Sequence, residues 1–268
     1  MNQFFSVKRF TLLVLKHWAD NKKRYGLSVL AFIGLLIAWF VFVLLIDNNR
    51  PMDHEIQETT YFFSLFVVGT FYASQYFRDL GSRAKGINFL LVPASAFEKL
   101  LCSLLYTVIF FFTVFSAVFY LVDFLMMAIS NTFTGTDASV TNVFKVIFFR
   151  INDDSAIRLL FIFFSIQSAF LLGSVYFEKY GFIKTIISGF VAFFIVICVV
   201  FLLFDFLLPR GQYQDGFLTS YRVHIDGIND RLVEVPRWIG KAVSFLLMYA
   251  VTPFLWIVTY YRLREKQV

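Results

Sequence analysis

RDLGSRAKGINFLLVPASAFEK, residues 78–99, is the stretch around which the fold of this 268-residue chain is organised. It is the longest charged interruption between apolar runs near the start of the chain. Its basic residues are Arg78, Arg83, Lys85 and Lys99, and its only acids are Asp79 and Glu98. Because basic loops between membrane spans stay on the inner side, we expect this segment to face the cytoplasm.

The composition of the chain excludes a soluble domain. Hydrophobic residues make up 59% of the chain and charged residues 16%, against about 25% charged in soluble domains. The mean hydropathy is +0.72, and several apolar runs reach the ~20 residues that cross a bilayer. The net charge of +6 comes from basic residues at the ends of these runs. That placement indicates membrane topology and contact with anionic lipid, so no nucleic-acid partner is expected.

Six apolar runs predict an all-α polytopic membrane protein with six transmembrane helices in one transmembrane domain, residues 1–268. The spans are expected at about 27–46, 60–77, 100–129, 156–177, 182–208 and 241–261. The third run is overlong, since about 30 residues at ~1.5 Å each exceed the ~30 Å hydrocarbon core. It must therefore tilt or extend beyond the membrane at one end.

A separate amphipathic helix is expected before the first span, at residues 3–21. Phe10, Leu13 and Trp18 fall on one face at helical spacing, and the basic residues lie largely off that face. This pattern is typical of a helix lying in the cytoplasmic interface. The charged residues 20–24 favour a break between this helix and the first span. The alternative is that the helix simply extends the first span.

The distribution of charge sets the expected topology. Fifteen of the 24 Lys and Arg residues fall on predicted inner segments, so both termini are expected in the cytoplasm. In the outer loop 130–154, a short apolar stripe predicts an interfacial helix around 143–148. The outer loop 209–240 alternates apolar and polar residues from Tyr221 to Asp226 and then turns, as a β-hairpin does. Part of 200–240 could equally dip back into the outer leaflet, and the pattern leaves both alternatives open.

The sequence carries no motif of known catalytic chemistry. It has no GxxxxGK[ST] phosphate loop, no HExxH and no GxSxG. His17, His54 and His224 are scattered without metal-ligand spacing. Cys102 and Cys198 lie inside apolar runs, where we expect small buried hydrophobes and no disulfide. We therefore expect no enzyme activity and no catalytic, cofactor-binding or metal-binding residue in this chain.

Four polar residues inside the predicted spans are candidates for lining a path or bonding between helices: Gln75, Asp123, Gln167 and Asp205. The two aspartates lie near the outer ends of their runs, where an aspartate at the membrane surface is the alternative. The absence of a charge at the midplane of any run disfavours coupling to an ion gradient. If the protein moves a substrate, its energy is expected to come from another polypeptide.

Residues 93–98, PASAFE, fit a helix start with proline early and an acid in the first turn. A short cytoplasmic helix that leads straight into the third span would transmit a push at its base. The alternative is a plain connecting loop. We expect segment 78–99 to be the docking and coupling surface for the energy-supplying partner, through Arg78, Arg83, Lys85, Pro93, Ser95, Glu98 and Lys99.

The same segment carries a resemblance to a known family. Leu91-Val92-Pro93-Ala94-Ser95 followed by Glu98-Lys99 resembles the LPAS…EK segment after the second span of ABC-2-type (type V-like) ABC transporter permeases of Bacteroidetes-like bacteria. The tail YRLREKQV, residues 261–268, resembles the tail of the same group, and the six-span layout with an N-terminal interfacial helix is similar. Val92 stands where the family has leucine.

The resemblance implies that the chain is the permease subunit of an ATP-driven exporter and crosses the bacterial inner membrane several times. Two copies, as a homodimer, would form the path. Separate ABC ATP-binding subunits, which hold ATP and Mg, would dock on residues 93–99 and on the N-terminal helix. In such permeases the segment between the last two spans often contains re-entrant helices. The alternative function is a non-transporting membrane anchor or assembly subunit of a larger complex.

Overall fold

The computed structural model of the chain describes residues 5–46, 54–135, 139–141, 155–177, 179–207 and 245–266, together with short pieces of backbone between 213 and 242. The α-helices of this part are α1 Val7–Ile46, α2 His54–Gln75, α3 Arg83–Leu90, α4 Ala96–Leu104, α5 Phe111–Thr134, α6 Ser155–Tyr176, α7 Gly181–Leu207 and α8 Val251–Glu265. A 3₁₀ turn spans Arg78–Gly81, and π-helical segments span Leu105–Phe110 and Leu246–Ala250.

In the described part of the chain, four helical stretches are long and apolar enough to cross a membrane: Val7–Ile46, Ala96–Thr132, Ala156–Tyr176 and Gly181–Val199. The chain is therefore a multi-pass membrane protein with a predominantly helical fold. The other two predicted spans, 60–77 and 241–261, coincide with α2 and with the second π segment plus α8. Six spans and two cytoplasmic termini stay a prediction.

Helix α2 shows how this chain reverses the pattern of a soluble protein. Its buried face carries polar side chains, including Ser64, Thr70 and Ser74, whose hydroxyls donate to the carbonyls of the preceding turn at 2.6–2.7 Å. The same helix exposes the large apolar side chains of Phe63 and Phe71. Buried polar residues between helices and an apolar outer surface are what a bilayer favours, because lipid cannot satisfy polar groups.

Helix α1 differs from the prediction of two separate elements. Residues 7–46 form one continuous helix, so the expected break at 20–24 is absent. The physical reason is that charge opposes burial in hydrocarbon but does not oppose helix formation, and the stretch contains no proline. A 40-residue helix is about 60 Å long at ~1.5 Å per residue, twice the hydrocarbon thickness. One end of α1 must therefore extend beyond the hydrocarbon core.

The third apolar run is also longer than one span. Helix α4, the first π segment and α5 follow one another without a gap from Ala96 to Thr134. The run ends at Gly135, whose left-handed φ of +66° and N–H bond to the Asn131 carbonyl form a helix C-cap. The helix begins at Ala96, within the helix start predicted for residues 93–98 and four residues before the apolar run predicted from about 100.

The helices pack around α6, which contacts α2, α7 and α8, whereas α1 packs against α4 and α5. The largest apolar cluster joins α1, α2, α5 and α6 through aromatic rings. The Tyr61 and Phe119 rings meet edge to face with centroids 5.0 Å apart. Gly69 lets α2 approach α6, since a Cβ there would lie 2.6 Å from the Phe163 ring.

Three short strands lie between α7 and α8: β1 Tyr213–Gln214, β2 Ser220–Asp226 and β3 Asn229–Glu234. They form one antiparallel sheet in the order β1-β2-β3. Of the two alternatives left open for residues 200–240, the hairpin pairing is the one found, between β2 and β3. These strands depart from the predicted all-α fold class, and the other elements that the structure describes are helical. The interfacial helix expected around 143–148 lies outside the described residues.

Candidate functional site

The start of α4 is built by a capping box. Ser95 is the N-cap residue; its Oγ accepts from the Glu98 N–H at 3.1 Å, and the Ser95 N–H donates to Glu98 Oε2 at 2.9 Å. The Ser-x-x-Glu spacing provides these two bonds to otherwise orphaned N–H groups. The helix start predicted within 93–98 is confirmed, with Pro93 just outside the helix.

Glu98 also connects α4 to the beginning of α1. Its Oε1 accepts from the Ser6 N–H at 2.7 Å and from Arg9 Nε and Nη2 at 3.2 and 3.0 Å. The Glu98 side chain is 0% exposed and that of Arg9 is 38% exposed. We call Ser6, Arg9, Ser95 and Glu98 the Glu98 junction. Four donors around one buried carboxylate fix the relative position of two long helices.

Lys99 makes the matching connection to α3. It is only 1% exposed, and its Nζ donates to the carbonyl of Leu90, the last residue of α3, at 3.2 Å. The ammonium also lies 5.2 Å from the centroid of the Phe89 ring. A cation at a helix C-terminus satisfies an orphaned carbonyl and the negative end of the helix dipole. Segment 78–99 is therefore a folded unit joined to α1 and α4.

The structure divides the predicted docking residues into two groups. Arg78 and Pro93 are exposed, whereas Glu98 and Lys99 are buried and Ser95 is half-buried. The polar groups of Glu98 and Lys99 bind within the chain, and the part that these residues take in docking stays a prediction. Arg83 and Lys85 lie in the first turn of α3, and their side chains are outside the described part.

Two exposed apolar residues of this unit were missed by the sequence argument. Ile87 is 57% exposed and Leu91 is 74% exposed, and their i, i+4 spacing places them on one side of α3 and its C-cap. Apolar residues in a charged segment are the signal that could have found them. Leu91 lies close to the exposed Pro93, because both side chains line the same shallow pocket.

An aromatic cluster around His17 holds the first half of α1 against the neighbouring helices. The His17 ring lies 4.8 Å from the Tyr76 ring and 4.5 Å from the Tyr106 ring, and its Nε2 bonds the Tyr25 hydroxyl at 2.6 Å. The Tyr106 hydroxyl donates to the Val14 carbonyl at 2.9 Å. His17 and Tyr25 are eight residues apart in the sequence, about two helical turns, so they lie on the same side of a helix. This spacing is the sequence signal that could have predicted their contact.

The first π segment links this cluster to α6. Its Thr107 carbonyl accepts from Gln167 Nε2 at 2.6 Å, so Gln167 makes an interhelix bond, one of its two predicted roles. A π-helical turn leaves carbonyls available for such side chains, and it frequently occurs at functional sites. Gln75, the other glutamine, is half-buried, and its Oε1 accepts from Arg78 Nη1 at 3.2 Å.

Of the two predicted aspartates, the structure describes the side chain of Asp123 and not that of Asp205. Asp123 is fully buried, and neither of its carboxylate oxygens has a hydrogen-bond partner among the described residues. It lies one turn from Phe119 and one turn from Met127 on the face of α5 that enters the core. Asp205 lies in the last turns of α7, and its side chain is outside the described part. These residues do not meet Gln75 or Gln167 in one site that the structure describes.

A groove of about 900 Å³ lies between the middle of α1, from His17 to Leu35, and the second half of α2. Charged and amide side chains line one end: Asp20, Asn21, Arg24, Gln75, Arg78 and Asp79. Apolar side chains line the other end, among them Phe32, Leu35, Val68 and Phe71. Among the described residues no cluster of His, Cys, Asp and Glu has the composition of a metal site.

No protein-family model, no curated protein and no solved structure matches this chain. The class is therefore defined by the fold alone, as a multi-pass, predominantly helical membrane protein.

Proposed function

We propose that this chain is the transmembrane permease subunit of an ATP-driven exporter, powered by a separate ABC ATP-binding subunit. The partner holds ATP and Mg, docks on segment 78–99 and the beginning of α1, and works on the inner face of a bacterial inner membrane. The chain itself is not an enzyme. The observation that carries the proposal is the Glu98 junction, which ties the folded segment 78–99 to two of the four helices that can cross a membrane.

The connections give a defined route for a displacement at the docking surface. Lys99 ties the end of α3 to α4, and α4 continues through the π segment into α5. Glu98 ties the start of α4 to the start of α1. A push on α3 therefore moves the ends of α1 and of the α4–α5 run together, because close-packed, bonded elements move as rigid bodies.

The outer surfaces of α1 and α7 support a second copy as a further partner. Both helices expose large apolar side chains along their apolar lengths, and α7 exposes Phe190, Phe193 and Phe194. Surfaces of this kind are covered by lipid or by another transmembrane helix. In the proposed homodimer, the exposed face of one of these two helices packs against the same face of the second copy. Lipid covers the remaining exposed apolar surface.

The experiment is affinity purification of the tagged chain from membranes of its own host, followed by identification of the companion polypeptide. We expect a nucleotide-binding companion. The double change Ile87→Ser with Leu91→Ser should reduce its retention about tenfold or more, because burying a large apolar side chain contributes about 1.5–3 kcal/mol. Tyr180→Asn is the matched control, since Tyr180 is exposed on another predicted inner turn and asparagine tolerates its φ of 56°.

Unchanged retention in the double variant would contradict docking on this segment. A companion that binds but hydrolyses no nucleotide would contradict the exporter and favour the alternative, a membrane anchor or assembly subunit.

A further inference from the structure

The groove between α1 and α2 has the charge pattern of a phospholipid along its length. On α1 its lining changes from Asp20 and Arg24 through Ser28 to Leu35, and on α2 it changes from Gln75 to Val68 in the same direction. The lining of α1 from His17 to Leu35 extends over roughly 27 Å at ~1.5 Å per residue. One end is therefore fit for a charged headgroup and the other for an acyl chain.

The polar end presents two guanidinium groups that are oriented by neutral amides. Arg24 Nη1 donates to Asn21 Oδ1 at 3.5 Å, and Arg78 Nη1 donates to Gln75 Oε1 at 3.2 Å. In the described ranges of the chain neither guanidinium is paired with a carboxylate. Two arginines with donors to spare are the usual ligands of a phosphate group, because the guanidinium fork matches its oxygens.

The same end also carries acids. Asp20 and Asp79 line it together with the two arginines, and Asp20 is exposed. A purely anionic headgroup would meet both acids, whereas a headgroup with an ammonium beside its phosphate places opposite charges against both signs. Charge complementarity therefore selects a zwitterionic head, and a primary ammonium is favoured further because its N–H groups can donate hydrogen bonds to Asp20.

The apolar end opens sideways toward the membrane. Leu35 is 63% exposed and Phe71 is 53% exposed, so this end is not sealed by the chain. The Tyr25 and Tyr72 rings, with centroids 5.8 Å apart, make a contact between the two helices within the lining of the groove. The basic residues Lys22 and Lys23 precede the apolar part of α1, which places the polar end at the headgroup level of a bilayer.

We propose that this groove binds one bilayer phospholipid with an ammonium-bearing head of the phosphatidylethanolamine type. Its phosphate lies between Arg24 and Arg78, its ammonium faces Asp20, and an acyl chain lies along Phe32, Leu35 and Phe71. A soluble phosphate compound would leave the apolar half of the groove empty. The site depends on membrane insertion of α1 and not on the proposed ATPase partner, so the two proposals fail separately.

The test is native mass spectrometry of the purified, delipidated full chain after adding equimolar phosphatidylethanolamine, phosphatidylcholine and phosphatidylglycerol with identical acyl chains. We expect about one retained phosphatidylethanolamine per chain. The double change Arg24→Gln with Arg78→Gln should reduce retention about tenfold or more, the equivalent of one charge-assisted hydrogen bond. Lys22→Gln with Lys23→Gln is the matched control, since it removes the same charge from neighbouring exposed residues that do not line the groove.

A second variant keeps the test decisive if the arginine variant does not fold. Asp20 is exposed, and Asp20→Asn should abolish the preference for phosphatidylethanolamine over phosphatidylcholine, whose quaternary ammonium has no N–H. An unchanged preference, equal losses in the arginine and lysine variants, or stronger retention of phosphatidylglycerol would overturn the proposal. High-yield disulfide dimers of Leu35→Cys in native membranes would also overturn it, because a second copy would then cover the groove.

Discussion

Replacing Glu98 by glutamine perturbs the Glu98 junction while leaving the size of the side chain unchanged. The carboxylate accepts from four donors: Ser6 N, Arg9 Nε, Arg9 Nη2 and Ser95 N. Glutamine offers one acceptor oxygen and places an NH₂ group against at least one of these donors. The variant therefore loses a charge-assisted bond and leaves a buried donor unpaired.

The expected loss of stability is about 3 kcal/mol. A hydrogen bond to a charged group contributes about 1.5–3 kcal/mol, and the ion pair with the half-exposed Arg9 adds at most about 1 kcal/mol because solvent screens it. At about 2–4 °C per kcal/mol, the apparent melting temperature should fall by about 6–12 °C. Thermal unfolding of the purified chain, followed by loss of helical circular dichroism, measures this shift.

Glu265→Gln is the matched control. Glu265 Oε2 accepts from Arg262 Nη1 at 2.6 Å, a shorter contact than the one at Arg9, but both partners are exposed. Exposed ion pairs contribute little, so the control should shift the melting temperature by less than about 2 °C. Equal shifts in the two variants would refute the reasoning that burial and multiple donors make the Glu98 junction strong.

Two further predictions concern contacts between helices. Gly69→Ala should destabilise the chain by about 1–3 kcal/mol through overpacking, because its Cβ would lie 2.6 Å from the Phe163 ring, while Gly34→Ala, which has nothing within 4 Å, should be tolerated. Comparable melting temperatures for the two alanine variants would exclude this close approach. Gln167→Leu should cost about 1–2 kcal/mol by leaving the Thr107 carbonyl of the π segment unpaired, and Gln75→Leu, which loses only a bond to the exposed Arg78, should cost less. A larger effect at Gln75 would contradict this ranking.

Local patterns predicted the local structure well. The early proline and the first-turn acid of residues 93–98 predict a helix start, and the alternation from Tyr221 to Asp226 predicts a strand. Both features depend on neighbouring residues. The length and apolarity of the runs likewise identify a multi-pass helical protein. Each of these properties depends on residues only a few positions apart.

The features that sequence reasoning missed depend on distant residues. The sequence predicts Glu98 and Lys99 as docking residues, yet both are buried. Glu98 binds Arg9, which lies 89 positions away, and Lys99 binds the Leu90 carbonyl. The break expected at residues 20–24 is wrong, because the charges there oppose burial in hydrocarbon but do not oppose formation of the helix. The groove joins residues of α1 to residues after α2, which no local pattern connects.

The central claim is that this chain is an inert membrane subunit moved by an ATPase that it does not contain. The most direct measurement is MgATP hydrolysis in proteoliposomes that hold the purified chain alone, compared with proteoliposomes that hold the chain with its co-purified companion. The account predicts hydrolysis only with the companion present, reduced in the Ile87→Ser, Leu91→Ser variant. Hydrolysis by the chain alone, or a chain from native membranes with no nucleotide-hydrolysing companion, would contradict it.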